Sequence, residues 1–249
     1  VFTGDNVLSN HLLDARFGNK KVAEGYEATK ERMKESLRII LEPLEKRGIP
    51  FAMIFGNHDD MCLMTKEEII DLYREYSCFV GLTDTYGFGD IGTHNVLINS
   101  KGSPVFNLWM MDTSRVNKEL DKGFEGVTTE AVEWYVNTSN ELKEKNGGKP
   151  MPSFVFQHTP VPEEYELLRK AHFWELPVAV RGYNTKRKTF YVGKKGTKGY
   201  VGEGPCSPDI NNGQFASWKK VGGVLGAFFG HDHLNDMSGY VDGIFLAQH

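Results

Sequence analysis

Two histidines separated by one residue follow an apolar run near the end of this sequence. Val224–Phe229 is short enough for a buried strand, Gly230 breaks it, and His231-Asp232-His233 comes next. On an extended backbone alternate side chains share a face. Both imidazoles are therefore expected to point the same way and to supply half of a transition-metal shell. Three other apolar runs end in comparable residues. Val1-Phe2-Thr3 leads to Gly4-Asp5-Asn6, residues 49–55 to Gly56-Asn57-His58-Asp59, and residues 153–156 to Gln157-His158-Thr159-Pro160. Open α/β sheets bind ligands outside the carboxyl ends of their strands. Four ends offering Asp5, Asn57 with His58, His158, and His231 with His233 are thus expected to meet at one place. Mixed nitrogen and oxygen donors suit Mn, Fe or Zn better than Ca or Mg.

The elements that would position these ends can be read from periodicity and caps. Residues 27–47 predict an amphipathic helix with Met33, Leu37, Ile40, Leu41 and Leu44 in one stripe, closed by Gly48 and Pro50. Thr65-Lys66-Glu67-Glu68 is a capping box that opens a helix through Tyr76. Residues 95–98 and 105–111 predict adjacent strands. Asp112, at the end of the second, reads as a turn or cap residue more than a site residue. A helix capped by Thr128 or Thr129 carries Ala131, Trp134, Tyr135 and Leu142 and ends at Gly147-Gly148. A strand over 153–156, a short helix over 163–171, a helix over 214–220 and a last strand over 243–247 complete the series. Residues 10–25, with His11 and Asp14, predict a surface loop, and residues 86–90 a glycine-rich turn. Strands alternating with helices predict a layered α/β fold.

Composition narrows the function classes. A chain of 249 residues can form one domain with a sizeable core. A net charge of −4 gives no global attraction to nucleic acid or membrane, and no apolar stretch reaches spanning length. Cys62, Cys78 and Cys206 show no zinc spacing and fit a reducing, cytoplasmic compartment slightly better than a disulfide framework. There is no Gly-x-Ser-x-Gly elbow and no P-loop. Residues 172–212 crowd aromatic, glycine and basic residues without a period. Within them, residues 181–200 hold seven cations (Arg181, Lys186, Arg187, Lys188, Lys194, Lys195, Lys198) and no acid. Two readings fit that run: a solvated loop balanced by acidic helices, or a flap that draws anionic substrate to the site.

Gly4-Asp5, Gly56-Asn57-His58-Asp59, His158 and Gly230-His231-Asp232-His233, in this order, resemble the calcineurin-like metallophosphoesterase family. Gln157-His158-Thr159-Pro160 and Gly202-Glu203-Gly204-Pro205-Cys206-Ser207-Pro208 narrow the resemblance to small single-domain relatives of plant purple acid phosphatases. The likeness runs from Gly4 to about Ala247. It implies two stacked mixed β-sheets flanked by helices, a four-layer α/β/β/α sandwich. It also implies two divalent or trivalent transition-metal ions (Mn, Fe or Zn). One would take Asp5, Asn57, His158 and His231. The other would take Asp5, His233 and the ligands of an Asp-x-His motif that precedes Gly-Asp in the family. Only Val1-Phe2-Thr3 precedes Gly4, so the expectation is a single domain over 1–249 that lacks its first strand and that motif.

The activity implied is hydrolysis of a small phosphorylated substrate, a phosphate mono- or diester, by a hydroxide bridging the two metals. Asn57 and His58 would contact the substrate. His58 would stabilise the transferring phosphoryl group or protonate the leaving oxygen, and Asp59 would orient the His58 ring or cap a helix. The alternative is a non-catalytic interaction scaffold with an incomplete metal site.

Overall fold

Met33, Leu37 and Leu41 recur every four residues along the first long helix, and all three are buried. This helix, α1 (Tyr26–Glu45), belongs to a computed structural model that describes residues 1–7, 25–59, 62–82, 91–114, 116–117 and 123–249. His11, Asp14 and the turn expected over 86–90 lie outside the described residues. Strand β1 (Phe2–Thr3) pairs in parallel with β2 (Met53–Ile54), Phe2 opposite Met53 and Thr3 opposite Ile54. The strand expected over 49–55 is shorter than its apolar run. Phe51 makes an isolated bridge to Phe79 instead. Helix α2 (Lys66–Arg74) opens on the capping box read from the sequence: the Thr65 hydroxyl accepts from the Glu68 N–H, and the Glu68 carboxylate accepts from the Thr65 N–H. Met33, Leu37, Leu41, Met53, Phe55 and Ile70 form the core between α1, α2 and β2.

The next strands are β3 (His94–Ser100), β4 (Ser103–Met111), the small antiparallel pair β5 (Val116–Asn117) and β6 (Gly123–Phe124), and, after α3 (Thr129–Lys145), β7 (Ser153–Gln157). A 3-10 turn over Pro162–Leu167 leads into β8 (Leu168–Lys170), followed by β9 (Val180–Arg181), β10 (Phe190–Gly193) and β11 (Lys198–Val201). Helix α4 (Gln214–Val221) precedes β12 (Val224–Phe229), β13 (Asn235–Val241) and β14 (Ile244–Gln248). Seven strands form one mixed sheet in the order β11-β13-β14-β12-β7-β4-β3, with β4, β7, β12 and β14 parallel at its centre.

Alternation along β4 sorts the layers. Trp109 and Met111 face a core shared with Tyr135 of α3 and Trp218 of α4, whereas Met110 packs with Ala52 and Ile54 on the other side. The order is therefore α1 and α2, the β1–β2 pair, the seven-stranded sheet, then α3 and α4, which is the α/β/β/α sandwich expected from the family likeness. Trp109 is held edge-on between Trp134 and Tyr135, at 5.5 and 4.8 Å between ring centroids.

The chain departs from expectation between α3 and α4. The helix expected over 163–171 is a 3-10 turn followed by β8, because β10 offers a ladder to Leu168, Arg169 and Lys170. A helix of that length would leave most of its backbone groups unpaired, and strand pairing satisfies them. Residues 172–212, without periodicity, nonetheless contribute β9 and β10 to a three-stranded sheet in the order β8-β10-β9, and the edge strand β11 to the large sheet.

Asp112 has a structural place. Buried at the end of β4, it accepts from Lys66 Nζ at 2.7 Å and from the Ser114 N–H at 2.9 Å, while its own N–H donates to Thr93 Oγ1 at 3.0 Å. Lys66 also meets Ser114 Oγ and lies over the Phe55 ring at 5.1 Å. Burial pushes the Asp112 carboxyl up, but Lys66 and the Ser114 bonds outweigh it and hold the carboxyl below its ordinary range. This pair pins the first turn of α2 to the large sheet. Lys66→Ala should leave a buried charge without its partner and lower stability by about 3–5 kcal/mol. Urea unfolding midpoints measure this, and a variant that unfolds with the parent would show that Asp112 does not depend on Lys66.

Candidate metal centre

Strand ends β1, β2, β7 and β12 converge, and small residues permit it. A Cβ on Gly4, at φ +90, would stand 2.6 Å from His158 Nδ1 and 2.7 Å from the Gly56 nitrogen. A Cβ on Gly56 would stand 2.1 Å from Asp5 Oδ1. Only hydrogen at these two positions lets the first two strand ends reach the third. Asp5 itself lies in the left-handed region, at φ 50. That costs a non-glycine residue about 1–2 kcal/mol and marks a position held by its surroundings.

His158 is fully buried at the end of β7, and its Nδ1–H donates to the Thr3 carbonyl at 2.9 Å. That bond turns Nε2 inward. Around Nε2 stand His231 Nδ1 at 3.0 Å, Asn57 Oδ1 at 3.1 Å and Asp5 Oδ2 at 3.2 Å. Four atoms that carry lone pairs thus crowd one small volume. A proton on Nε2 can satisfy one neighbour at a time, whereas a cation at the centre satisfies all four. Donors bonded at 2.0–2.1 Å to a tetrahedral transition metal lie about 3.3 Å apart, close to the three separations from Nε2. One carboxylate, one amide oxygen and two imidazoles therefore fit such an ion.

The electrostatics agree. Burial pushes the Asp5 carboxyl up, but the bond to His158, its charge and the His58 N–H outweigh this and hold the carboxyl below its usual range. Burial pushes the His158 imidazole down, and Asp5, with the Thr3 carbonyl and Asp59, more than reverses that. Burial and the neighbouring charge of His158 push His231 down to about 3, so it presents a free lone pair at neutral pH. A proton on His158 thus occupies the position that a cation would take, and cation binding should release it.

The other expected site residues are placed less centrally. His58 is half-buried, and its backbone N–H donates to Asp5 Oδ1 at 2.9 Å. Asp59 was expected to support the His58 ring or to cap. It is buried and accepts from the Gly56 N–H at 2.7 Å and the Val7 N–H at 3.1 Å, so its carboxylate orders the loop that carries Asn57. Burial pushes that carboxyl up to about 7, against the two N–H bonds. His233 is exposed and lies outside the Asp5–His158–His231 cluster. Strand β12 ends at Phe229, and His231 and His233 both line the pocket that opens beside it.

Two aromatic residues at the site carried no sequence signal. The Phe124 ring packs edge-on against His231 at 4.4 Å, and Tyr183 stacks on Phe124 at 6.2 Å. Asp232 is buried and accepts from the Cys206 N–H at 3.1 Å and from Asn235 Nδ2 at 2.7 Å, tying the 202–208 run to the histidine loop. Beside His231 opens a pocket of ≈ 520 Å³ whose lining includes Phe124, Tyr183, Glu203, Cys206 and His233.

A cluster of nitrogen and oxygen donors thus stands at the strand ends of the α/β/β/α sandwich, and comparison with known families is specific on the family. The calcineurin-like phosphoesterase family matches residues 1–235, and the chain belongs to that family. It is 27% identical over 267 residues to probable inactive purple acid phosphatase 14 of Arabidopsis thaliana, covering 99% of this chain and 56% of the relative. It is 24% identical over 263 residues to probable inactive purple acid phosphatase 29 of the same plant, covering 99% and 57%. Phosphatase DCR2 of Saccharomyces cerevisiae matches at 24% over 251 residues, 95% of this chain and 36% of that protein. The chain thus spans little more than half the length of the plant relatives. Among solved structures, a dimetal phosphatase from Danio rerio aligns with a TM-score of 0.41 at 12% identity, covering 90% of this chain and 78% of that one.

Proposed function

We propose that this chain is a metal-dependent phosphoesterase whose cation site is Asp5, Asn57, His158 and His231. The observation that carries the reading is the crowding of three acceptor atoms around His158 Nε2 within 3.2 Å. Bound there, a transition-metal cation would supply a Lewis acid that acidifies water and neutralises phosphate oxygens. The residues of the chain do the rest. Thr3 fixes the His158 ring through its carbonyl, and Asp59 fixes the Gly56-Asn57 turn. The pocket beside His231 receives the ester, with Phe124 and Tyr183 as an aromatic wall. In hydrolysis a water oxygen bonds to phosphorus as the ester P–O bond breaks, the water gives up a proton, and the leaving oxygen takes one. His58, adjoining Asn57 at the loop tip, is the group assigned to give that proton. Asn57 and His58 are the substrate contacts.

A second reading has its own observation. His233 stands outside the donor cluster, and two relatives are named probable inactive phosphatases, which favours a scaffold that holds a metal without turnover. One experiment separates the readings. The protein is dialysed, its metal counted by mass spectrometry, and para-nitrophenyl phosphate and its bis ester are assayed with Mn, Zn or Fe. About one tightly held ion is expected from the single complete donor set, with metal-dependent turnover of at least one ester. Metal without turnover of either ester, or of a panel of phosphorylated metabolites, would leave the scaffold. No metal in a folded protein would remove the site assignment itself.

A further inference from the structure

The overall charge of −4 conceals a strongly cationic region. From 168 to 200 the chain carries nine lysines and arginines against one acid, Glu175, a local charge of +8 by subtraction. Among the described residues, only Arg169 of the nine has a carboxylate within ion-pair distance, Glu175 at 2.7 Å. Arg181 and Lys186 lie over the rings of Phe190 and Tyr165. The others present their charge to solvent. Arg169, Lys170, Arg181 and Lys198 lie on strands β8, β9 and β11, and the other five lie in the connections between strands.

On the same small sheet, the connection from β8 to β9 is a 3-10 turn, Phe173–Val178, with an unusual surface. Phe173 is 79% exposed, Trp174 64%, Leu176 46% and Val178 76%. Four large apolar side chains in six residues are held out from the body. The Arg169–Glu175 bonds and the Glu175 carboxylate's bond to the His172 N–H fix the turn in place. Exposed apolar side chains on a turn anchored by Arg169, within a segment rich in exposed lysines and arginines, match a boundary where hydrocarbon meets anionic headgroups.

We propose that this turn and the cationic sheet behind it dock the protein on an anionic lipid surface, with Phe173, Trp174, Leu176 and Val178 entering the acyl boundary. Other occupants fit less well. Nucleic acid would use the cations and the aromatic rings but would gain nothing from Leu176 and Val178. A second copy meeting the same face across a two-fold axis would set +8 against +8. The docked face is continuous with the site: Tyr183, between β9 and β10, is in the wall of the pocket beside His231. Docking concerns binding alone and stands whether or not the metal centre turns over substrate.

Sedimentation with vesicles tests this. The full chain is mixed with phosphatidylcholine vesicles and with vesicles containing about one-third phosphatidylserine. Binding to the anionic vesicles should be at least about tenfold tighter and should weaken as salt rises. Phe173→Ser with Trp174→Ser, and separately Lys194→Glu with Lys195→Glu and Lys198→Glu, should each lower that binding about tenfold or more while thermal unfolding stays that of the parent, since the changed side chains are exposed. Equal binding to both vesicles would overturn the proposal. So would parental binding by the serine variant, self-association of the parent abolished by that variant, or single-stranded RNA binding tighter than vesicle binding.

Discussion

His158→Ala is expected to lose metal and phosphoesterase activity together. His158 Nε2 is the atom around which Asp5, Asn57 and His231 gather, and its Nδ1 is the only ring atom tied to β1 through the Thr3 carbonyl. Removing the ring deletes one donor and leaves the rest without a common neighbour. Even loss of a supporting hydrogen bond weakens metal sites 10–100-fold, so affinity should fall by at least about 100-fold here. Metal counting on dialysed parent and variant gives the first measurement, and ester hydrolysis the second. The ring is fully buried, so folding is checked separately by circular dichroism, and Asp5→Asn provides a variant of near-equal volume. Parental metal content in a folded His158→Ala protein would show that the donors have been misassigned.

His58→Ala should do the opposite, sparing metal while lowering kcat. The contact of His58 with the cluster that bears on Asp5 is made by its backbone N–H, at 2.9 Å from Asp5 Oδ1, and alanine keeps that N–H. What alanine removes is the proposed proton donor, worth roughly 10²–10⁴-fold in kcat. An ester with a better leaving group should be hurt less, because its oxygen needs a proton less. Loss of metal in step with activity would make His58 a ligand. An unchanged kcat would reduce it to a loop residue.

The parts of this protein legible in its sequence are those with a local cause. The stripe Met33-Leu37-Leu41 gave α1, and Thr65 with Glu68 gave the start of α2. Glycine followed by a donor marked the strand ends, because the close approach of Gly4 to Gly56 tolerates nothing larger. His233 follows the end of β12 and is exposed, whereas His231 is half-buried. The β8-β10-β9 sheet was invisible because its pairings join residues far apart, Lys170 with Tyr191 and Arg181 with Phe190, and its alternation is broken by glycines and 3-10 turns. Phe124 and Tyr183 gave no signal because tertiary packing alone brings them to His231. The role of Asp59 depended on Val7, 52 positions away.

The separation of the donors along the chain has a consequence for how the molecule comes into being. Asn57 and His158 are 101 positions apart, His158 and His231 are 73, and the Thr3 carbonyl is 155 from the ring it orients. Parallel pairings such as β1 with β2 and β7 with β12 close long loops before they return any contact energy, which makes them late and slow events. A cation that used all four proposed donors would be captured only after the last of these closures. An ion that binds only the finished arrangement shifts the balance toward it in proportion to the logarithm of its concentration. Metal supply during synthesis would then set how much of the chain matures, and ion release on dilution into chelator would time its unfolding.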